Sequence, residues 1–335
     1  MAAESGRERW VHRYADAKRR GQVRDADFTT LSGLAVDRST GLSFFFDAHI
    51  DFFKEIAKVR AARRIWARWL REVYGARPAK AQWLRFHTQA AGVSLAAQQP
   101  ENNVVRTAVE VLAAVPGGTN SLHTNALDEV LALPSEKAAR IALSTQQVLM
   151  EETGVLNVAN PLGGSWYVEA LTDRLEAEAE AEAIFARIRE LAALAVPSGR
   201  HPIGEMTSGI LRGIEDGWFT GEIADAAFAY RRALEKGEKK MVGVNVHTGA
   251  GADDLEILRI GHEVETEQRA ALAERKARRD LAGVGQCPAE LGSAARGGGN
   301  RVEPMLAAVR AEATSGEVCG VLRREWGVHT EPARF

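Results

Sequence analysis

The sequence predicts an α/β fold, a parallel sheet covered by helices, followed by a helical tail. Three observations carry this. Four strand-plus-helix units are spaced between residues 42 and 250, and no helix-free block of strands interrupts them. The stretch Trp83–Asn125 reads as a complete strand–helix–strand unit. Its polar residues gather at the carboxyl ends of the two strands, where α/β folds assemble their sites.

Within that unit, residues 83–89 (WLRFHTQ) alternate apolar and polar, and residues 121–125 (SLHTN) do the same behind Gly117-Gly118. Between them Val104, Ala108, Val111, Leu112 and Val115 recur at helical spacing and give the helix one apolar side. Upstream, residues 1–41 are polar and form an expected arm; residues 42–46 (LSFFF) read as a short buried strand. A helix follows from Ile50 to about Tyr74, closed by Gly75. Phe52, Ile56, Val59, Ala62, Trp66 and Trp69 form its apolar stripe, and the Arg row at 60–71 beside it is expected to be solvated or salt-bridged.

Downstream, Ser135 is the expected N-cap of a helix whose apolar residues repeat from Ala138 to Leu149, and Gly154 closes it. Residues 155–159 (VLNVA) read as a strand and residues 160–165 as a tight polar loop. A helix is expected over 167–194, with a solvated acidic face at Glu176, Glu178, Glu180 and Glu182. A Gly- and Pro-rich segment at 196–217, a helix over 222–235 and a strong strand at 239–247 complete the main domain, 42–250. The tail, 251–335, is expected to hold a charged helix at 263–280, a Gly/Ala/Ser-rich joint at 283–299 and one final helix at 302–326.

Bulk properties narrow the function. The chain has 335 residues, 26% of them charged, and a net charge of −2, which argues against a dedicated nucleic-acid or anionic-membrane binder. Two cysteines cannot form a disulfide framework and lack metal-type spacing. The start carries no apolar signal segment and no run approaches a membrane span, so a cytoplasmic protein with no membrane partner is expected.

Several motifs bear on a site. His87 and His123 end successive strands among Arg, Thr, Gln and Asn, an arrangement that suggests a pocket and equally suits structural histidines. Arg85 could meet an anionic substrate or a buried carboxylate such as Asp128 or Glu129. The loop 160–165 could offer backbone amides to a phosphate, a weak signal without Walker spacing. Asp47-Ala48-His49 reads as a polar helix entry. Gly283-Val284-Gly285 lacks the third glycine of a dinucleotide fingerprint and does not leave a strand.

Residues 84–154, from LRFHTQAAGVSLAAQQPENNVVRTAVEVL through GGTNSLHTNALDE to QQVLMEETG, closely resemble the substrate-binding barrel of the adenosylcobalamin-dependent acyl-CoA mutases, the methylmalonyl-CoA mutase family. The likeness continues through NPLGGSWYVEALTDRLEAEA, GEIADAAFAYRRALEKGEKKMVGVNVH and LEILRI, covers roughly residues 42–265, and is looser beyond them. The segment HPIGEMTSGILRG and the ending CGVLRREWGVHTEP resemble the separate large chains of isobutyryl-CoA and 2-hydroxyisobutyryl-CoA mutases. The resemblance implies a partial (β/α)₈ TIM barrel, roughly its second half, and a carbon-skeleton isomerisation of a short branched acyl-CoA with adenosylcobalamin as cofactor. By the same resemblance Arg85, His87 and Gln89 are expected at the substrate, and Asn120, His123, Asn125, Glu151 and Asn160 along the cofactor.

The chain departs from the family pattern at several points. Asn120 stands where the family usually has Gln, and Asn160 where Asp is usual. The sequence passes from VDRSTG directly to LSFFF, where family members carry about half a barrel, including a Gly-Tyr-His segment. With that segment absent, no catalytic residue is assigned. The Asp-x-His-x-x-Gly motif of the lower cobalt ligand is also absent, and a cobalamin-binding small subunit is the expected partner, in a hetero- or homo-oligomer. A half-barrel leaves two sheet edges open. The chain alone is therefore expected to be inactive, and the alternative expectation is a non-catalytic protein that docks on an intact mutase or its small subunit.

Overall fold

The structure is a computed structural model that describes residues 42–179, 182–194, 205–249, 255–297 and 299–330. The expected arm at 1–41, and parts of the segments around 180 and 200, lie outside the described residues. The chain divides into two compact units, 1–258 and 259–335.

In the first unit the order is β1 (Phe44–Ala48), α1 (Phe52–Arg68), β2 (Phe86–Ala90), α2 (Asn102–Gly117) and β3 (Ser121–His123), then α3 (Glu136–Glu151), α4 (Trp166–Ala179), α5 (Glu182–Leu194), α6 (Glu205–Glu215) and α7 (Trp218–Glu235). The three strands form one parallel sheet in the order β1-β2-β3, with a helix between each pair of strands, which makes the protein α/β. Alternation along the strands decides which side is covered. Phe44, Phe46 and Phe86 turn to one face and pack with Val59, Ala62 and Trp66 of α1. Phe86 is only 1% exposed, and burying such a ring stabilises the fold by about 2 kcal/mol. Ile56 of α1, Ala113 of α2 and Val168 of α4 meet in a second cluster, which locks the three helices together.

Local chemistry sets the helix ends. The last turn of α1 widens into a π-turn at Trp69–Val73, and Gly75 at φ +70° ends it. Gly117 of α2 lies so close to Val59 that a Cβ there would come within 2.7 Å of its Cγ2, and Gly118 takes the left-handed C-cap at φ +84°. Arg63 donates to the carbonyls of both glycines, at 2.5 and 3.1 Å. Ser135 caps α3 by accepting from the Ala138 N–H, as the sequence predicts.

The expected strand at 155–159 is instead a 3₁₀ turn, Val155–Asn157, entered through Gly154 at φ +71°. Its apolar side chains Leu156 and Val158 are exposed, and among the described residues no strand pairs with it. The expected strand at 239–247 is a curled loop with a single bridge, Val242 to Val246. Asn245 winds it: its Oδ1 accepts from the Met241 N–H, and its Nδ2 donates to the Leu234 and Lys239 carbonyls. The helix expected over 167–194 is helical on both sides of residues 180–181, which lie outside the described residues: α4 precedes them and α5 follows.

The second unit holds α8 (His262–Arg278), α9 (Leu281–Gly297), α10 (Val302–Arg310) and α11 (Ser315–Trp326). Residues 283–297 of the expected joint belong to helix α9, because Leu291 and Ala295 are buried there and tertiary packing overrides the poor helix propensity of glycine. The single helix expected at 302–326 is two. Thr314 ends the turn between them with a capping box: its side chain accepts from the Glu317 N–H, and Glu317 accepts from the Thr314 N–H.

Candidate functional site

The second face of the sheet is open. Phe45, His87 and Ser121 stand in register across β1, β2 and β3, and Asp47, Gln89 and His123 form the next row toward the carboxyl ends. Phe45 is 78% exposed. His87 Nδ1 shares a hydrogen bond with Ser121 Oγ at 2.8 Å, and its ring meets Phe45 edge-on at a centroid distance of 5.3 Å. Parallel sheets are normally covered on both faces, whereas among the described residues this face carries exposed aromatic and polar side chains. Among the described residues no group of three or more His, Cys, Asp or Glu side chains could hold a metal ion.

The sequence-predicted residues divide by what already holds them. Arg85 precedes β2 with its guanidinium over the Trp83 ring, 5.8 Å from the centroid. By strand alternation it shares a face with His87 and Gln89. Gln89 and His123 are exposed neighbours in register. Of the other cofactor-side residues, the three asparagines serve the fold. Asn120 Oδ1 accepts from the Phe86 N–H at 3.0 Å, pinning β3 to β2. Asn125 is buried and its Nδ2 donates to the Ala90 carbonyl at 2.7 Å, which leaves its Oδ1 without a partner. Asn160, at φ +50°, accepts from Arg60. Glu151 is exposed in the last turn of α3.

Other expectations resolve similarly. The 160–165 loop does not present all its amides: the Gly164 N–H donates to Glu169, which also accepts from Arg60 and Arg64. Those hydrogen bonds hold the Glu169 carboxyl below its ordinary range. The Arg row is salt-bridged, Arg64 to Asp173 at 2.6 Å and Arg68 to Glu176 at 2.8 Å. Glu176 is thereby drawn out of the solvated acidic face expected for it. Asp128 is fully buried and accepts from the Ser135 N–H at 2.9 Å.

Sequence reasoning missed Phe45, Asp47, Ser121 and Glu110. Ending the first strand at Phe46 placed Asp47 in a helix entry, whereas alternation carried two residues further puts it on the open face. Glu110 on α2 is 0% exposed, beside Glu55 of α1. Neither carboxyl oxygen meets full hydrogen-bond geometry. Desolvation pushes its pKa up to about 7, although the nearby Ser94 hydroxyl and Arg106 draw it part of the way back. Ser94 Oγ shares a hydrogen bond with His49 Nδ1 at 2.8 Å, and burial lowers the His49 pKa.

With this geometry in place, comparison with known proteins is decisive. The family model for methylmalonyl-CoA mutase matches residues 26–328. The chain belongs to the methylmalonyl-CoA mutase family. It is 42% identical to the methylmalonyl-CoA mutase of Cereibacter sphaeroides, over 89% of this chain and 40% of that protein. It is 39% identical to the 2-hydroxyisobutanoyl-CoA mutase large subunit of Aquincola tertiaricarbonis, over 91% of this chain and 52% of that one. Against the human mitochondrial methylmalonyl-CoA mutase the identity is 37%, over 89% and 38%. The chain thus spans about half the length, or less, of these relatives.

Proposed function

We propose that the chain is the substrate-binding part of an acyl-CoA mutase, a partial barrel whose open sheet face forms one wall of an acyl-CoA site in a cytoplasmic isomerase. The observation that carries this reading is the alignment of His87, Gln89, Ser121 and His123 on an uncovered face, in a chain of this family. Arg85 and His87 would meet the thioester end of the substrate. The His87 imidazole is positioned for that by the Ser121 hydroxyl, which fixes the ring at Nδ1 and leaves Nε2 for a ligand.

Adenosylcobalamin is the cofactor this family reading implies, and the residues present do not by themselves fit it. Of the five cofactor-side candidates, Asn120, Asn125 and Asn160 already hold backbone or Arg60, and no Asp-x-His-x-x-Gly motif occurs in the chain. Of the other two, His123 is exposed at the end of β3 beside the substrate-side Gln89, and Glu151 is exposed at the end of α3; His123 and Gln89 would border a corrin held by a small subunit. The proposed division of labour is therefore substrate here and cofactor in a partner.

Titration calorimetry of the purified chain with isobutyryl-, 2-hydroxyisobutyryl- and methylmalonyl-CoA tests this. Binding is expected, weakened about tenfold or more by His87→Ala or Arg85→Ala, in line with the loss of a charged or bidentate contact. No turnover is expected from the chain and adenosylcobalamin alone. Failure to bind any of the three esters would sink the reading. A second reading, a non-catalytic protein that docks on an intact mutase or its small subunit, is favoured by the 78% exposure of Phe45. Complex formation with the small subunit but no binding of acyl-CoA would select it.

A further inference from the structure

A cavity of about 340 Å³ lies between the first turns of α2 and the curled loop after α7, with Ile50 and Ser94, from the segments that follow β1 and β2, also in its lining. That volume is at the small end of the range of ligand pockets, about 300–1,000 Å³. Its apolar lining comes from Val105 and Val109 of α2 and from Met241 and Val242 of the loop. Three cations, Arg106, Lys239 and Lys240, converge on it.

Those cations lack the partners that usually accompany such a group. Among the described residues no carboxylate lies within ion-pair distance of any of them. Arg106 spends two of its donors on the Asn103 Oδ1 and the Val242 carbonyl, both at 2.7 Å, and thereby ties α2 to the loop without neutralising its charge. Lys239 Nζ stands 4.2 Å from the centroid of the Tyr230 ring, a contact that orients the ammonium and leaves it cationic. The carboxyl nearest Arg106 on the helix is Glu110, one turn on, whose burial favours its neutral form. Positive charge focused in a concave, partly apolar site attracts anions. Val105 and Val242 at its mouth are exposed, so the ligand that matches carries a short apolar part as well.

We propose that this cavity is a binding site for a small amphiphilic anion, a phosphate or carboxylate head on a short aliphatic chain, with Lys239, Lys240 and Arg106 holding the head and Val105, Val109 and Val242 the chain. The site does not depend on acyl-CoA binding at the sheet face, and its test reads binding rather than turnover.

The test is calorimetric titration of the full chain with n-butyl phosphate, inorganic phosphate, valerate and n-butylammonium. Butyl phosphate or valerate is expected to bind about tenfold or more tighter than inorganic phosphate, because each buried methylene contributes, while butylammonium does not bind. The tighter of the two organic anions identifies the head group. The doubly substituted Lys239→Gln/Lys240→Gln chain is expected to lose about tenfold in affinity, and so is Val105→Glu, which puts a carboxylate at the mouth from an exposed position. Circular dichroism verifies that each variant is folded. Equal affinity for inorganic and butyl phosphate, binding of butylammonium as tight as that of the anions, no binding of either organic anion, or binding indifferent to both folded variants would overturn the proposal.

Discussion

Glu110 and Glu317 are the same residue type in opposite circumstances, one in each unit. Glu317 opens α11, where it accepts from both the backbone and the side chain of Thr314 and from both ends of the Arg279 guanidinium. Those donors hold its carboxyl at about 2, the Arg279 hydrogen bond contributing most. Glu110 sits between α2 and α1 with no donor at full geometry, and burial raises it to about 7. The tail unit is locally consistent, its charge placed where a helix start and an arginine favour it. The sheet-bearing unit keeps a carboxyl where it costs stability, beside the cavity and the strand ends, and such cost is characteristic of regions retained for function.

The largest expected effects make this comparison quantitative. Asn103 is as buried as Glu110 but fully engaged: it accepts from the Ala96 N–H and donates to the Ala96 and Leu127 carbonyls. Asn103→Ala strands those three groups and is expected to destabilise the chain by about 4 kcal/mol, at about 1–3 kcal/mol for each unsatisfied buried group. Glu110→Leu is expected to act in the opposite direction. A carboxyl raised from 4.5 to about 7 in the folded state gives stability that is complete below pH 4.5 and declines until pH 7, by about 3 kcal/mol. Urea unfolding from pH 4.5 to 8 checks this. Glu110→Leu should remove the decline and be the more stable protein at pH 8, and an unchanged slope would show that Glu110 is not its source.

In the tail the sign reverses. The depressed pKa of Glu317 gives stability that is present above pH 4.5 and lost as pH falls toward 2. Thr314→Ala removes the cap and is expected to cost about 1 kcal/mol at pH 7, less than either substitution in the first unit. Thermal melts of the variant at pH 7 and pH 3 test it, the difference from the parent shrinking at the lower pH.

What the sequence disclosed follows the same division between locally and globally determined features. The βαβ unit from Trp83 to Asn125 was legible because alternation, a Gly-Gly stop and helical periodicity all agree there. The Ser135 cap was legible from a short-range rule, and Thr314 obeys the same rule in Thr-Ser-Gly-Glu, which the expectation of one long helix obscured. The residues 239–247 carry the apolar content of a strand, but the Asn245 side chain diverts them into a loop, and no strand pattern encodes that. For the site, Arg85, His87, Gln89 and His123 fall on or beside the open face as their alternation suggests. Asn120, Asn125 and Asn160 are polar residues at strand ends and loops whose hydrogen bonds go inward, a direction that composition does not show.

The open face gives the smallest expected effect on stability, and for that reason the sharpest contrast with Glu110. Gln89 and His123 are exposed and adjoin in register, and among the described residues no buried cluster includes either. Gln89→Ala and His123→Ala are therefore expected to change unfolding free energy by less than about 0.5 kcal/mol, as surface substitutions do. If these residues border a ligand, the same substitutions should weaken acyl-CoA binding far more than that figure. The ratio of the two effects, read from urea unfolding and calorimetry on one preparation, measures how far the face is committed to binding. A loss of stability above about 1 kcal/mol in either variant would show instead that the face is covered in solution, since only a packed side chain carries that much. In that case the docking reading gains, and a second copy or a partner should be detectable at the same protein concentration.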